Sequence, residues 1–173
     1  QYEMIEKYFN NLTDTLGRIH KGDIQKVATL INSCQGNIFV FGNGGSAATA
    51  SHFAQDMNKM LNYRFICLND NIPSLTAYAN DVNYESVFQL QLSKLIKAED
   101  MVIGISGSGN SQNILKAIIF AKKLRSITIG FTGYNGGKLK ELVNHEINVP
   151  SFDMQICEDC HMIIIHTIVK ILK

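Results

Sequence analysis

Two glycine-rich stretches and a few titratable side chains carry the chemistry in this sequence. Gly42-Asn43-Gly44-Gly45-Ser46 follows the apolar, β-rich run Asn37-Ile38-Phe39-Val40 and precedes a stretch holding Ala47, Ala48, Ala50 and Ala54. A strand, a glycine turn and a helix in that order aim backbone N–H groups and the positive end of a helix dipole at one point, where phosphate is the usual guest. Glycines also mark ordinary tight turns, so this stretch alone leaves both readings open. Ser106-Gly107-Ser108-Gly109-Asn110-Ser111 is the stronger signal. It follows a buried run and leads into a helical pattern from Gln112, offering three hydroxyls, two glycines and a helix N-terminus. Such a cradle holds phosphate without a cationic side chain. A serine-rich turn often serves only as a helix cap, but two such turns, each after a strand, favour the phosphate.

The acid–base candidates lie on two helical stretches. His52 and Asp56 are four residues apart, about 40° around a helix axis, as a His/carboxylate metal pair or a catalytic pair requires. Polar pairs at that spacing are also common on exposed faces. Near the C-terminus Glu158, Asp159, His161 and His166 sit among Met162, Ile163, Ile164, Ile165, Ile168 and Val169. A helix this apolar is mostly buried, and polar groups inside it need partners. His166 alone reads as a hydrogen-bonded core histidine; the acids upstream make it a site candidate. Helix geometry puts Asp159 on its face and Glu158 about 80° away, so angle alone selects Asp159. Cys157-x-x-Cys160 has no second pair for zinc and no thioredoxin-type strand before it. With Cys34 and Cys67 it reads as reduced thiol, three of the four lying in apolar runs.

The elements that position these residues alternate. Strands are predicted at 37–41, 65–69, 101–105, 126–131 and 145–149, with helices at about 45–61, 84–97, 111–124, 137–143 and 155–172. Apolar strands between helices predict an α/β fold, a parallel sheet covered on both faces, within a single domain over residues 1–173. Ligands in such sheets collect beyond the carboxyl ends of the strands, which singles out the turns 42–46, 106–111 and 132–137. The third, Thr132-Gly133-Tyr134-Asn135-Gly136-Gly137, is open to the plain reading of a turn. Residues 1–34 predict two helices broken near Lys21-Gly22-Asp23, with Ile5, Tyr8, Phe9, Leu12, Leu16 and Ile19 as an apolar stripe. Its own domain or a neighbouring subunit could cover that stripe, and the subunit is the favoured partner.

Composition bounds the partners. Of 173 residues 46% are apolar and 18% charged, and the net charge of +1 gives no electrostatic ground for a nucleic-acid or anionic-membrane partner. No run reaches the roughly 18 apolar residues of a membrane span. No signal peptide is visible, so a cytoplasmic location is the expectation.

In order along the chain, Gly42-Asn43-Gly44-Gly45-Ser46, His52-Phe53-Ala54, Asn80-Asp81, Gly104-Ile105-Ser106-x-Ser108-Gly109-Asn110-Ser111, Thr132-Gly133-x-x-Gly136-Gly137 and a closing acid-x-x-His-x4-His pattern resemble the phosphoheptose isomerases of the sugar isomerase (SIS) domain superfamily. The resemblance implies a three-layer αβα sandwich on a five-stranded parallel sheet. It also implies a homotetramer joined largely through N-terminal helices, with active sites at subunit interfaces. The implied reaction interconverts sedoheptulose 7-phosphate and D-glycero-D-manno-heptose 7-phosphate. In the family the positions of Ser106, Ser108 and Ser111 hold phosphate, and Asn110 in that turn and Gly44 in the glycine turn are expected to bind substrate with them. Asn43 and Ser46 line the sugar site, and Asp81 matches an active-site aspartate. Asp56 and His166 match the catalytic pair. Zinc sits in many members on the positions of His52, Asp56, Glu158 and His166. On this point the resemblance overrules the helical wheel and selects Glu158, which a helix starting irregularly near Cys157 would allow.

Three positions depart from the family pattern. Asp56 replaces a glutamate, one methylene longer; Met60 replaces an arginine; Glu158 replaces a glutamine and adds negative charge. These departures fit an isomerase of this or a related sugar phosphate. The alternative is a non-catalytic SIS module that binds a phosphosugar or a protein. An acid–base set of His52, Asp56 and His166 favours the enzyme, because a binder does not need one.

Overall fold

Two strands of this chain, Ile38–Gly42 (β1) and Met101–Ser106 (β3), are buried at every residue, so each needs a helical layer on both faces. The computed structural model, which describes residues 1–173, supplies those layers. With Phe65–Cys67 (β2), Ile127–Thr132 (β4) and His145–Asn148 (β5), the strands form a five-stranded, all-parallel sheet in the order β2-β1-β3-β4-β5. The order reverses direction at β1 and β3, which lie side by side with Gly42 opposite Ile105. A crevice therefore opens between their carboxyl ends.

Helices Tyr2–Arg18 (α1), Lys21–Ser33 (α2), Gly45–Leu61 (α3) and Met154–Leu172 (α8) cover one face. Helices Ile72–Asp81 (α4), Val87–Leu95 (α5), Gln112–Lys123 (α6) and Leu139–Leu142 (α7) cover the other. The expected αβα sandwich is the observed one. Phe53 of α3 is fully buried and packs on Phe65 and Phe131 of the sheet, so its truncation to Ala would cost about 3–5 kcal/mol. At the opposite end of the sheet the buried Asp100 carboxylate accepts from the N–H groups of Asn37 and Lys97, both at 2.7 Å, and ties β1 to β3.

Four local features differ from expectation. The first two helices break at Ile19–His20, one residue before the Lys21-Gly22-Asp23 stretch, and Lys21 already begins α2. Helix α4 stands where no element was expected. Asn71 caps it by accepting from the N–H of Ser74 at 3.1 Å, and Pro73 fits its first turn, where no N–H is needed. The expected helix 84–97 is split into a 3₁₀ turn, Tyr84–Ser86, and α5. Helix α8 starts at Met154, capped by the Asp153 carboxylate, and runs without irregularity through Cys157. On α1 the residues Tyr2, Met4, Ile5 and Phe9 are exposed, while Tyr8, Leu12 and Leu16 pack on the core. No helix is long and apolar enough to cross a membrane.

Buried on α8, His161 places Nε2 2.8 Å from the Thr132 carbonyl at the end of β4, which also accepts from the Val149 N–H at 2.9 Å. Nε2 therefore carries the proton, and Nδ1 is buried with no partner. Burial lowers the imidazole pKa from 6.5 to about 4. Between those values the unfolded chain binds the proton and the folded chain does not, so stability falls as pH drops. We expect a loss of about 3 kcal/mol across that window. A His161→Gln variant, which can still donate to Thr132, is expected to flatten this acid limb in denaturant titrations run at a series of pH values.

Candidate active site

The crevice between β1 and β3 is built from backbone first. β2 ends at Cys67, and the side chain of Asn69 takes the place of the missing strand residue. It accepts from the Gly42 N–H at 3.1 Å and donates to the Gly42 carbonyl at 2.8 Å. This fixes the end of β1 where the glycine turn departs. Gly44 has φ of +54°, a conformation that glycine adopts without strain, and α3 starts at the next residue.

The serine turn is clamped on its other flank. The Gly133 N–H donates to the Gly107 carbonyl at 2.8 Å and the Leu139 N–H to the Gly109 carbonyl at 2.9 Å. Lys138 N–H donates to the Asn110 side chain at 3.0 Å. Gly109 has φ of +68°, and a β-carbon there would collide with the Gly136 carbonyl. The 132–137 stretch is thus a turn with a structural duty: it braces the serine turn from behind. Inside that turn Ser106 Oγ lies 3.3 Å from Ser111 Oγ, and Ser111 does not spend its hydroxyl capping α6. The N–H groups of Ser111, Gln112 and Asn113 find no acceptor in the chain. Three unspent donors at a helix N-terminus are able to hold an anion.

These two turns enclose a cavity of about 230 Å³ lined by Asn43, Gly44, Ser46, Ser106, Ser108, Ser111 and Glu158. Seven expected substrate residues meet there. Asn110 does not, because its side chain turns toward Lys138. Asp81 ends α4 on the surface, with Oδ1 accepting from Asn80 at 2.9 Å. The choice between Glu158 and Asp159 is decided by packing. The Glu158 carboxylate lies over Gly45, whereas Asp159 accepts from the Tyr8 hydroxyl of α1 at 2.6 Å. That bond, with burial, pushes the Tyr8 phenol up to about 12. Sequence reasoning missed Gly107 and Met154 in the lining, and Asn113 behind it. A buried asparagine in the first turn of an otherwise apolar helix was the available signal for Asn113.

Further along the same two helices His52, Asp56 and His166 converge. Nε2 of His52 lies 3.0 Å from Nε2 of His166 and 3.3 Å from Asp56 Oδ2, and His166 Nε2 lies 3.8 Å from the same oxygen. Ligand atoms about 2.0–2.1 Å from a tetrahedral ion stand about 3.3–3.4 Å apart, so the three atoms fit one cation. Two imidazoles and a carboxylate also form an acid–base set. Glu158 lies outside this cluster, and Met60, one turn past Asp56, is exposed. The cluster does not line the cavity. It lies roughly 10 Å along α3 from Gly45 and roughly 12 Å along α8 from Glu158. All four cysteines are unpaired, and burial raises the thiol pKa of Cys157 and, to about 11, that of Cys160. Neither is poised for thiolate chemistry.

A SIS domain model matches residues 7–133. A probable phosphoheptose isomerase of Thermoplasma acidophilum is 42% identical over 153 residues, covering 85% of this chain and 83% of that one. The chain belongs to the phosphoheptose isomerase family. The phosphoheptose isomerase of Helicobacter pylori is 40% identical over 171 residues, 95% of this chain and 85% of its own length. The solved phosphoheptose isomerase of Neisseria gonorrhoeae superposes with a TM-score of 0.94 at 30% identity over 99% of both chains. The likeness to family members thus extends beyond the motifs to the N-terminal helices.

Gly109 is the most demanding backbone position of the serine turn. Gly109→Ala is expected to cost about 3 kcal/mol through its left-handed φ and the Gly136 contact. Calorimetric affinity for inorganic phosphate is expected to fall with it, whereas Gly17→Ala, at an open helical position, leaves phosphate binding intact.

Proposed function

We propose that the chain is an aldose–ketose isomerase that interconverts sedoheptulose 7-phosphate and D-glycero-D-manno-heptose 7-phosphate through an enediol. The observation that carries this reading is the shared pair of helices: α3 and α8 border the phosphate corner at one end and bring Asp56, His52 and His166 together further along. The serine turn binds the C7 phosphate through Ser106, Ser108, Ser111 and the free N–H groups of α6. Asn43, Gly44, Ser46 and Glu158 line the polyol.

At the cluster the Asp56 carboxylate takes the C1 proton while His166 gives a proton to the C2 carbonyl oxygen, leaving an enediol. His166 then takes the proton from the C1 hydroxyl as the carboxylate returns its own to C2. Atoms balance, and both groups end as they began. His52 Nε2, Asp56 Oδ2 and His166 Nε2 would hold a zinc ion, which when bound supplies positive charge to polarise the carbonyl and leaves Asp56 Oδ1 and His166 Nδ1 as the atoms that exchange protons. Asp56 is one methylene shorter than the family glutamate, so its reach to C1 depends on α3 and α8 staying packed. The exposed face of α1 (Tyr2, Met4, Ile5 and Phe9) supports assembly into a homotetramer.

The purified protein is expected to exchange a solvent deuteron into sedoheptulose 7-phosphate, read by proton NMR. His166→Ala should lower the rate by roughly 100- to 10,000-fold. Binding without exchange, by metal-replete protein, would replace this reading with a phosphosugar-binding module. In calorimetric titration zinc should bind one per chain, and His52→Ala should weaken it at least tenfold; unchanged affinity would move the metal elsewhere.

A further inference from the structure

Asn43 touches the cavity with an amide whose orientation is fixed from outside. Its Nδ2 donates to Asn113 Oδ1 at 2.9 Å, and Asn113 Nδ2 donates back to Asn43 Oδ1 at 2.9 Å. Taken alone, such a pair is equally satisfied with both amides turned over. The backbone removes that freedom: the Ile114 N–H donates to Asn113 Oδ1 at 2.9 Å, and an N–H cannot reverse its role. Asn113 is therefore oriented, and Asn43 with it. Tyr84, from the 3₁₀ turn before α5, then completes the set by donating its hydroxyl to Asn43 Oδ1 at 2.7 Å.

The donor count leaves one group over. Asn43 Oδ1 has both lone pairs occupied, and one of its two Nδ2 protons is spent on Asn113. The remaining N–H has no partner in the chain and belongs to a residue of the cavity wall. We propose that Tyr84 is a positioning residue, which with Asn113 locks Asn43 so that the glycine turn presents a hydrogen-bond donor, never an acceptor, to an oxygen of the bound phosphosugar. The inference rests on the phosphosugar reading of the cavity. It gives Tyr84, half-exposed and distant in sequence from both turns, a role in selecting the ligand's sugar portion and not its phosphate. Asn113 is also a first-turn residue of α6, so the same amide pair couples the phosphate corner to the sugar-facing turn.

The test compares wild-type chain with Tyr84→Phe, Asn43→Ala and the double variant, using calorimetric binding of sedoheptulose 7-phosphate and, separately, inorganic phosphate. Tyr84→Phe is expected to weaken the sugar phosphate roughly fivefold to tenfold, the worth of one net hydrogen bond, and to leave inorganic phosphate within twofold. In turnover this appears as a raised KM with kcat nearly unchanged. In the Asn43→Ala background, Tyr84→Phe should add less than a twofold further loss, because its only target is gone. Equal weakening of both ligands, additive losses, or no effect of Tyr84→Phe on the sugar phosphate would each overturn the assignment. Binding read without turnover separates this from the enzyme proposal. A chain that binds with this pattern but does not exchange deuterium keeps the Tyr84 role and loses the isomerase, and an active isomerase indifferent to Tyr84→Phe does the reverse.

Discussion

Backbone N–H groups at the start of a helix must find an acceptor, and at the start of α6 this chain does not supply one. Most of the architecture around the crevice serves to keep those donors open without letting the turn collapse onto them. Asn69 finishes the sheet beside Gly42, the 132–137 turn clamps the serine turn from behind, and Gly109 and Gly136 approach more closely than any side chain would allow. The parallel order of β1 and β3 brings the glycine turn alongside. An anion there would replace water on several donors at once and would need no lysine, which agrees with a nearly neutral chain.

The fold was largely legible because its strands are unbroken apolar runs, which few other architectures tolerate. Helix α4 was not, because proline reads as a breaker unless the capping asparagine before it is weighed with it. The serine turn, as a strand-to-helix turn that opens on a cavity, was legible from serine and glycine spacing alone. Glu158 and Asp159 show where that legibility stops. An angle on a helical wheel says which residues share a face but not what lies opposite. Here α1 brings Tyr8 to Asp159, leaving Glu158 over Gly45. Tyr84 was invisible for a similar reason: its partner is 41 residues away, and only the folded chain joins them.

Helix α8 meets three environments along one side of the molecule. Its first turns carry Met154 and Glu158 at the cavity, its middle buries His161 against β4, and beyond that His166 meets α3. It is also the helix on which α1 rests. Disturbance of α1 would therefore reach both ends of the site through a single rod.

That rod acts as a ruler. From Glu158 to His166 the spacing is set by helical rise, and one inserted or deleted residue would rotate one end against the other by about 100°. Such a change would swing either the carboxylate off Gly45 or the imidazole away from Asp56, however conservative its chemistry. The stretch between them is therefore held to one length by the two ends it joins, a constraint separate from the packing that fixes its buried residues Cys160, His161, Ile164 and Ile165.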